Sequence, residues 1–161
     1  LRRGRGGMIE VWFEDLPEGK TLDLGERLVT REEIVAFASE FDPQPHHLDD
    51  EAAAKSILGG LSASGWHTCA LMMRLLADGL ANRAASMGSP GIEEVRWMRP
   101  VRPGDVLRLR GEVKSARVSK SRPEMGIVDI EWTLHNQREQ VAWMKATGLY
   151  GVRNAAAGGP A

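Results

Sequence analysis

The sequence predicts an α+β domain in which an antiparallel β-sheet wraps around one long central helix. Two observations carry this. From Gly65 to about Ala85, Trp66, Cys69, Ala70, Met72, Met73, Leu75, Leu76 and Leu80 make a helix apolar nearly all the way round, and such a helix is surrounded by protein on most sides. Further on, Leu107, Leu109, Gly111 and Val113 alternate with Arg108, Arg110 and Glu112. Val128, Ile130, Trp132 and Leu134 alternate in the same way with Asp129, Glu131, Thr133 and His135. Period two means strands with one packed face and one wet face. The helix is what the packed face needs.

The elements follow in order. Ile9 to Phe13 is a short apolar patch, and Leu16-Pro17-Glu18-Gly19-Lys20 turns the chain. Leu22, Leu24, Leu28 and Val29 suggest one or two short strands. Thr30-Arg31-Glu32-Glu33 reads as a capping box, and Ile34, Phe37, Ala38 and Phe41 follow at helical spacing. Pro43 ends that helix near Phe41, because it disfavours a helical Asp42. Asp49 to Lys55 reads as a short capped helix. Met87-Gly88-Ser89-Pro90-Gly91 ends the long helix. Val95, Trp97 and Val101 open the strands, Pro103-Gly104-Asp105 is a turn, and Val141 to Tyr150 is the last strand. One domain is expected over 9–152. Residues 1–8 read as a disordered or cloning-derived start, with Met8 the natural first residue, and 153–161 as a disordered tail.

A chain of 161 residues fits a single domain with a full core. The net charge of -1 gives no global attraction to nucleic acid or an anionic membrane. No run of about 18 apolar residues suggests a membrane span. The one cysteine, Cys69, cannot close an intrachain disulfide, which points to a cytoplasmic setting.

The chemistry-bearing segment is Asp42-Pro43-Gln44-Pro45-His46-His47. Two prolines fix both ends at little entropic cost on folding. Asp42 and His47 can then share one water, which is general acid–base equipment. The pattern also fits Asp42 capping a turn with His47 packed on it. Downstream, Gly59-Gly60-Leu61-Ser62-Ala63-Ser64-Gly65-Trp66 runs into the long helix. Ser64 or Gly65 is placed to start that helix, whose first amides lack internal partners and can face a developing oxyanion. A tight turn with Ser64 as N-cap explains the same residues. His46, His47 and Asp49 are too close in sequence to encircle a metal easily, so no metal is expected. His135 reads as solvated, and the strand arginines as a solvated edge and face, some of them able to meet phosphates of a bulky anionic carrier.

These residues resemble the MaoC-like dehydratases of the (R)-specific enoyl-CoA hydratase group. Asp42-Pro43-Gln44-Pro45-His46-His47 matches that family's Asp-x-Asn-Pro-x-His loop with the same spacing. The Gly59–Thr68 run is similar to its turn into the central helix. Val101-Arg102-Pro103-Gly104-Asp105 is similar to its Gly-Asp turn. The resemblance covers about Glu14 to Tyr150. It implies the hot-dog fold, a homodimer or higher homo-oligomer, and reversible hydration of a trans-2-enoyl-CoA to an (R)-3-hydroxyacyl-CoA. It implies Asp42 and His47 as the catalytic pair. Backbone amides near Gly65, Ser64 and Trp66 would hold the enolate-like oxygen, with Gly65 foremost. Gln44, Gly60 and Ser62 would border the substrate. No metal or redox cofactor is implied, coenzyme A (or an acyl carrier protein) belonging to the substrate. Gln44 stands where Asn is usual, and Ser62 where an apolar side chain is usual. Two other readings stay open: a hot-dog thioesterase using Asp78, and a non-catalytic acyl-CoA-binding module.

Overall fold

A computed structural model describes residues 7–155 of the chain. The expected flanks at 1–8 and 153–161 lie mostly outside them. Within the described part, the Arg153 amide donates to Glu14 and its guanidinium pairs with Asp15.

The entry segment runs from a bridge at Val11 through a 3₁₀ turn, Phe13–Asp15, into strand β1, Thr21–Leu28. One bulged strand replaces the one or two expected, with its register shifting between Asp23 and Glu26. Helix α1, Arg31–Phe41, starts at Thr30, whose hydroxyl accepts from the Glu33 amide at 3.2 Å. Only this half of the capping box forms. The Glu33 carboxylate pairs with Arg27 instead, at 3.2 Å. Phe41, expected on the apolar face, is 65% exposed.

The segment after Pro43 is not all loop. Pro45–Leu48 makes one helical turn, α2, with Pro45 at its start, where the missing N–H costs nothing and φ is preset. Helix α3, Asp50–Ala54, follows, capped by Asp49 accepting from Ala52 at 2.8 Å.

The central helix, α4, spans Gly65–Leu76 and continues as a π-helical turn over Ala77–Ala81. It is shorter than the expected run to Ala85. Gly79 in the π turn packs so tightly on β1 that a Cβ would lie 2.7 Å from Leu24 Cβ. Helix α4 is also less enclosed than its composition suggests. Thr68, Leu71, Met72 and Leu75 are buried, but Trp66 is 66% and Met73 52% exposed. Seven residues apart, these two share one helix face.

Strands β2 (Gly91–Trp97), β3 (Val106–Val118), β4 (Met125–His135) and β5 (Gln140–Gly151) complete one five-stranded antiparallel sheet in the order β1-β3-β4-β5-β2. Val101 falls outside the strands, yet its carbonyl accepts from the Ala63 amide at 2.9 Å. The alternation is realised as expected. Leu107, Leu109, Val113, Val128, Ile130, Trp132 and Leu134 are all almost fully buried. Trp132 lies opposite Gly111 on β3 and Met144 on β5. A Cβ at Gly111 would sit 2.5 Å from the Trp132 ring, so a glycine there makes room for the indole. The sheet curls round α4 in the hot-dog arrangement. No helix of the described residues is long and apolar enough to cross a membrane.

Candidate active site

Three short elements bring the site together. Helix α1 ends at Asp42, whose amide still bonds Ala38 at 2.9 Å. The Gln44 amide donates to the Asp42 carbonyl at 2.7 Å, and the His47 amide to the Gln44 carbonyl at 2.9 Å. This compact turn sends the Asp42 and His47 side chains the same way. His47 Nε2 lies 3.5 Å from Asp42 Oδ2. His47 is buried and Asp42 nearly so, with a side chain 18% exposed.

Their outer contacts set what each can do. His47 Nδ1 lies 2.7 Å from the Ser62 carbonyl oxygen. A carbonyl only accepts, so Nδ1 carries the proton and donates. In the neutral ring, Nε2 then presents its lone pair toward Asp42. Asp42 Oδ2 accepts from Ser64 Oγ at 2.6 Å, and Oδ1 from Gln44 Nε2 at 2.6 Å. These donors, Ser64 first and then Gln44, outweigh desolvation and hold the Asp42 carboxyl below the usual carboxylate range. The extra methylene of Gln44 is thus accommodated by a direct bond to Asp42. Ser62 is buried, and its backbone oxygen, not its hydroxyl, reaches the pair.

The start of α4 borders this pair. Ser64 is the N-cap, accepting from the Trp66 amide at 3.3 Å. Of the three amides singled out in the sequence, Trp66's is therefore engaged. The Gly65 amide meets no acceptor among the described residues. A Cβ at Gly65 would lie 2.6 Å from the Trp97 ring, so the indole packs directly on the glycine.

The approach to α4 is held by a residue that the sequence did not single out for this task. From the sequence, Arg102 reads as one of the solvated strand arginines, but the structure gives it fixed partners. Its Nη1 donates to the Gly60 carbonyl at 2.6 Å, and its Nη2 bonds the Leu58 carbonyl. Gly59, at φ +67°, and Gly60 turn the chain so that these carbonyls converge. Gly60 accordingly presents its carbonyl to Arg102. Asp105, almost fully buried, anchors the same turn by accepting from the Arg102 amide at 2.9 Å and Gln137 Nε2 at 3.1 Å. Only the Val-Arg-Pro-Gly-Asp spelling hinted at this, because a carbonyl clamp 42 residues away leaves no local pattern. Replacing Arg102 with Met keeps the stem but strands the carbonyls. We expect a cost of about 1–3 kcal/mol and faster amide exchange over 58–61 in a deuterium-exchange experiment; unchanged exchange there would dismiss the clamp.

The remaining candidates separate from the pair. His46 meets His47 edge-on at a ring distance of 4.3 Å. His67 stacks on Phe37 at 4.6 Å, and burial pushes its pKa down. His135 is half-buried with an unpartnered Nδ1, because the end of β4 is covered where exposure was expected. Asp78 is exposed and paired with Arg74 at 2.7 Å. Among the described residues no three His, Cys, Asp or Glu side chains gather as metal ligands.

A cavity of about 420 Å³ opens between α4 and the sheet, walled by Cys69, Met72, Leu76, Ile130, Trp132 and Met144. Among the described residues, no charged side chain lines it. Burial pushes the Tyr150 hydroxyl on its wall up to about 12, leaving a neutral phenol. Cys69, on the cavity wall, lies one helical turn, about 6 Å, beyond Gly65, while Asp42 and His47 are not among the lining residues.

The MaoC-like domain model matches residues 14–133, a span that takes in the Asp42–His47 pair, the start of α4 and the Gly-Asp turn. The chain belongs to the MaoC-like dehydratase family. A crystal structure of the MaoC-like dehydratase from Rhodospirillum rubrum is 44% identical, with a TM-score of 0.83 over 89% of this chain and 99% of that one. The protein YdeM of Bacillus subtilis is 33% identical over 69% of this chain and 77% of its own length. A 3-hydroxybutyryl-CoA dehydratase of Methylorubrum extorquens is 30% identical over 64% of each. This chain thus spans under two thirds of that dehydratase. MaoC-like membership places the chain among domains of hydratase and dehydratase type.

Proposed function

We propose that this MaoC-like domain reversibly adds water to a trans-2-enoyl-CoA, giving an (R)-3-hydroxyacyl-CoA, with no metal or redox cofactor and coenzyme A entering only as part of the substrate. One observation carries the reading. Asp42 Oδ2 and His47 Nε2 are two acceptors 3.5 Å apart. A water that donates one hydrogen to each turns its own lone pairs outward, toward a substrate carbon. In the forward direction this oxygen bonds to Cβ while a water proton passes to His47 Nε2. The imidazolium keeps its Nδ1 proton on the Ser62 carbonyl and faces the Asp42 carboxylate. The enolate-like charge on the thioester oxygen falls to the Gly65 amide at the positive end of α4. The proton on His47 then goes to Cα, which returns the imidazole to its starting tautomer and completes the addition of H and OH.

The uncharged cavity one turn beyond Gly65 suits an aliphatic acyl chain better than a dicarboxylic one. The name of the Methylorubrum dehydratase supports a coenzyme A thioester as substrate. A thioesterase using Asp78 finds no comparable support, because that carboxylate is tied to Arg74 at the far end of α4. The test is a panel of enoyl-CoA thioesters followed by loss of conjugated absorbance, beside a free-thiol assay. Loss of absorbance without thiol release is expected. Thiol release, or binding without turnover of any thioester, would overturn the reading.

The partner we assign is a second copy of this chain. Among the described residues strand β2 is an edge strand, pairing only with β5. Trp97 and Ile92 on it are exposed, and Trp97 meets the exposed Trp66 of α4 edge-on at 5.7 Å. An apolar helix face continuous with an open sheet edge suits a symmetric contact between copies. Light scattering should give a dimer or larger for the native chain and a monomer for Ile92→Lys combined with Trp66→Glu. A native monomer would discard the assembly.

A further inference from the structure

We propose that Ser64 is a positioning residue for Asp42, a two-way link joining the start of α4 to the acid–base pair. This rests on the reading above that Asp42 and His47 form the reaction centre. A serine hydroxyl has one hydrogen and two lone pairs. Here the hydrogen goes to Asp42 Oδ2 at 2.6 Å, and a lone pair takes the Trp66 N–H at 3.3 Å. Ser64 is completely buried, so water does not substitute for either bond.

Three consequences follow. The bond reaches the same carboxylate oxygen that faces His47 Nε2, so it fixes the Asp42 rotamer that defines the 3.5 Å gap. Accepting from a helix-start amide polarises the hydroxyl and makes it a better donor to the carboxylate. The Trp66 amide is withdrawn from the oxyanion site, which leaves that work to the Gly65 and Ser64 amides, neither of which meets an acceptor among the described residues. Gln44, exposed and reaching only Oδ1, cannot take over at Oδ2. The charged or titratable groups acting on Asp42 are His47 and His46, both on α2, and neither supplies this bond.

The pH sense is definite. Ser64 stabilises the ionised carboxylate, so its removal must raise the pH at which Asp42 takes up a proton. Ser64→Gly is the informative variant, because glycine is tolerated as an N-cap but brings no hydroxyl. The carboxyl carbon of Asp42, followed by ¹³C NMR without substrate, should titrate at higher pH in Ser64→Gly than in the native chain. The acid limb of kcat/KM should move the same way, and kcat should fall about tenfold near neutrality, as for one lost bond to a charged group. Ser64→Thr should restore both. Should Ser64→Gly not fold, Ser64→Ala provides the same readings. An Asp42 titration that does not move, even with a lowered melting point, would reduce Ser64 to a helix cap and end the proposal. Native-like turnover in Asp42→Asn would instead refute the reaction centre, and the NMR shift would remain as a separate result.

Discussion

Asp42→Asn and His47→Gln should each lower turnover of a responsive enoyl thioester by at least about 100-fold, the scale of lost general acid–base catalysis. The contacts say why neither change is conservative. Asp42 accepts from Ser64 on one oxygen and Gln44 on the other. An asparagine has one oxygen, so its amino group must face one of these donors, and the acceptor toward His47 is lost or displaced. Glutamine at 47 could still donate to the Ser62 carbonyl, but it offers no nitrogen lone pair for a proton. Because the two groups would act on one water, the double variant should lose little more than the worse single one. Initial rates across the four proteins decide this. Additive losses would mean two independent roles, and an unaffected single variant would remove its residue from the mechanism.

The largest effect on folding is expected at Trp132. Its side chain is almost fully buried, opposite Gly111 and Met144, and it walls the cavity beside α4. Trp132→Ala should cost about 3–5 kcal/mol. At roughly 2–4 °C per kcal/mol for a chain of this size, thermal unfolding should occur about 10 °C lower. The same change enlarges the cavity, so the activity remaining should shift toward longer acyl chains. A melting temperature within a degree or two of the native value would show that the indole is not what spaces β3, β4 and α4.

The sheet was legible from alternation because burial on one face imposes period two on each strand separately. Leu107 to Val113 and Val128 to Leu134 therefore declare themselves without knowledge of their partners. The Asp42–His47 pair was legible for a related reason: both residues lie on one proline-stiffened turn, where spacing is geometry. The helix at Pro45–Leu48 was harder to see, since four residues are too few for a hydrophobic period. The enclosure on most sides expected for α4 is only partly met, because apolar composition does not say what covers a face. Trp66 and Met73 are as apolar as Leu71 and Leu75, yet the first two face outward and the last two inward.

The linear order of residues was enough to determine an antiparallel sheet around a central helix, a stiff loop carrying Asp42 and His47, and a helix start downstream of it. Each depends on neighbours in sequence, through strand alternation, proline-limited dihedrals and unpaired first-turn amides. Only the tertiary structure decided how the loop is wired. The Ser62 carbonyl selects the His47 tautomer from 15 positions away. Ser64 bonds Asp42 from 22 positions away, and Arg102 holds Gly60 from 42. Hydrogen bonds of this kind depend on distance in space and on donor direction. Ser62, Ser64 and Arg102 therefore acquire their functions only when α1, α2 and the turn before β3 close on the start of α4.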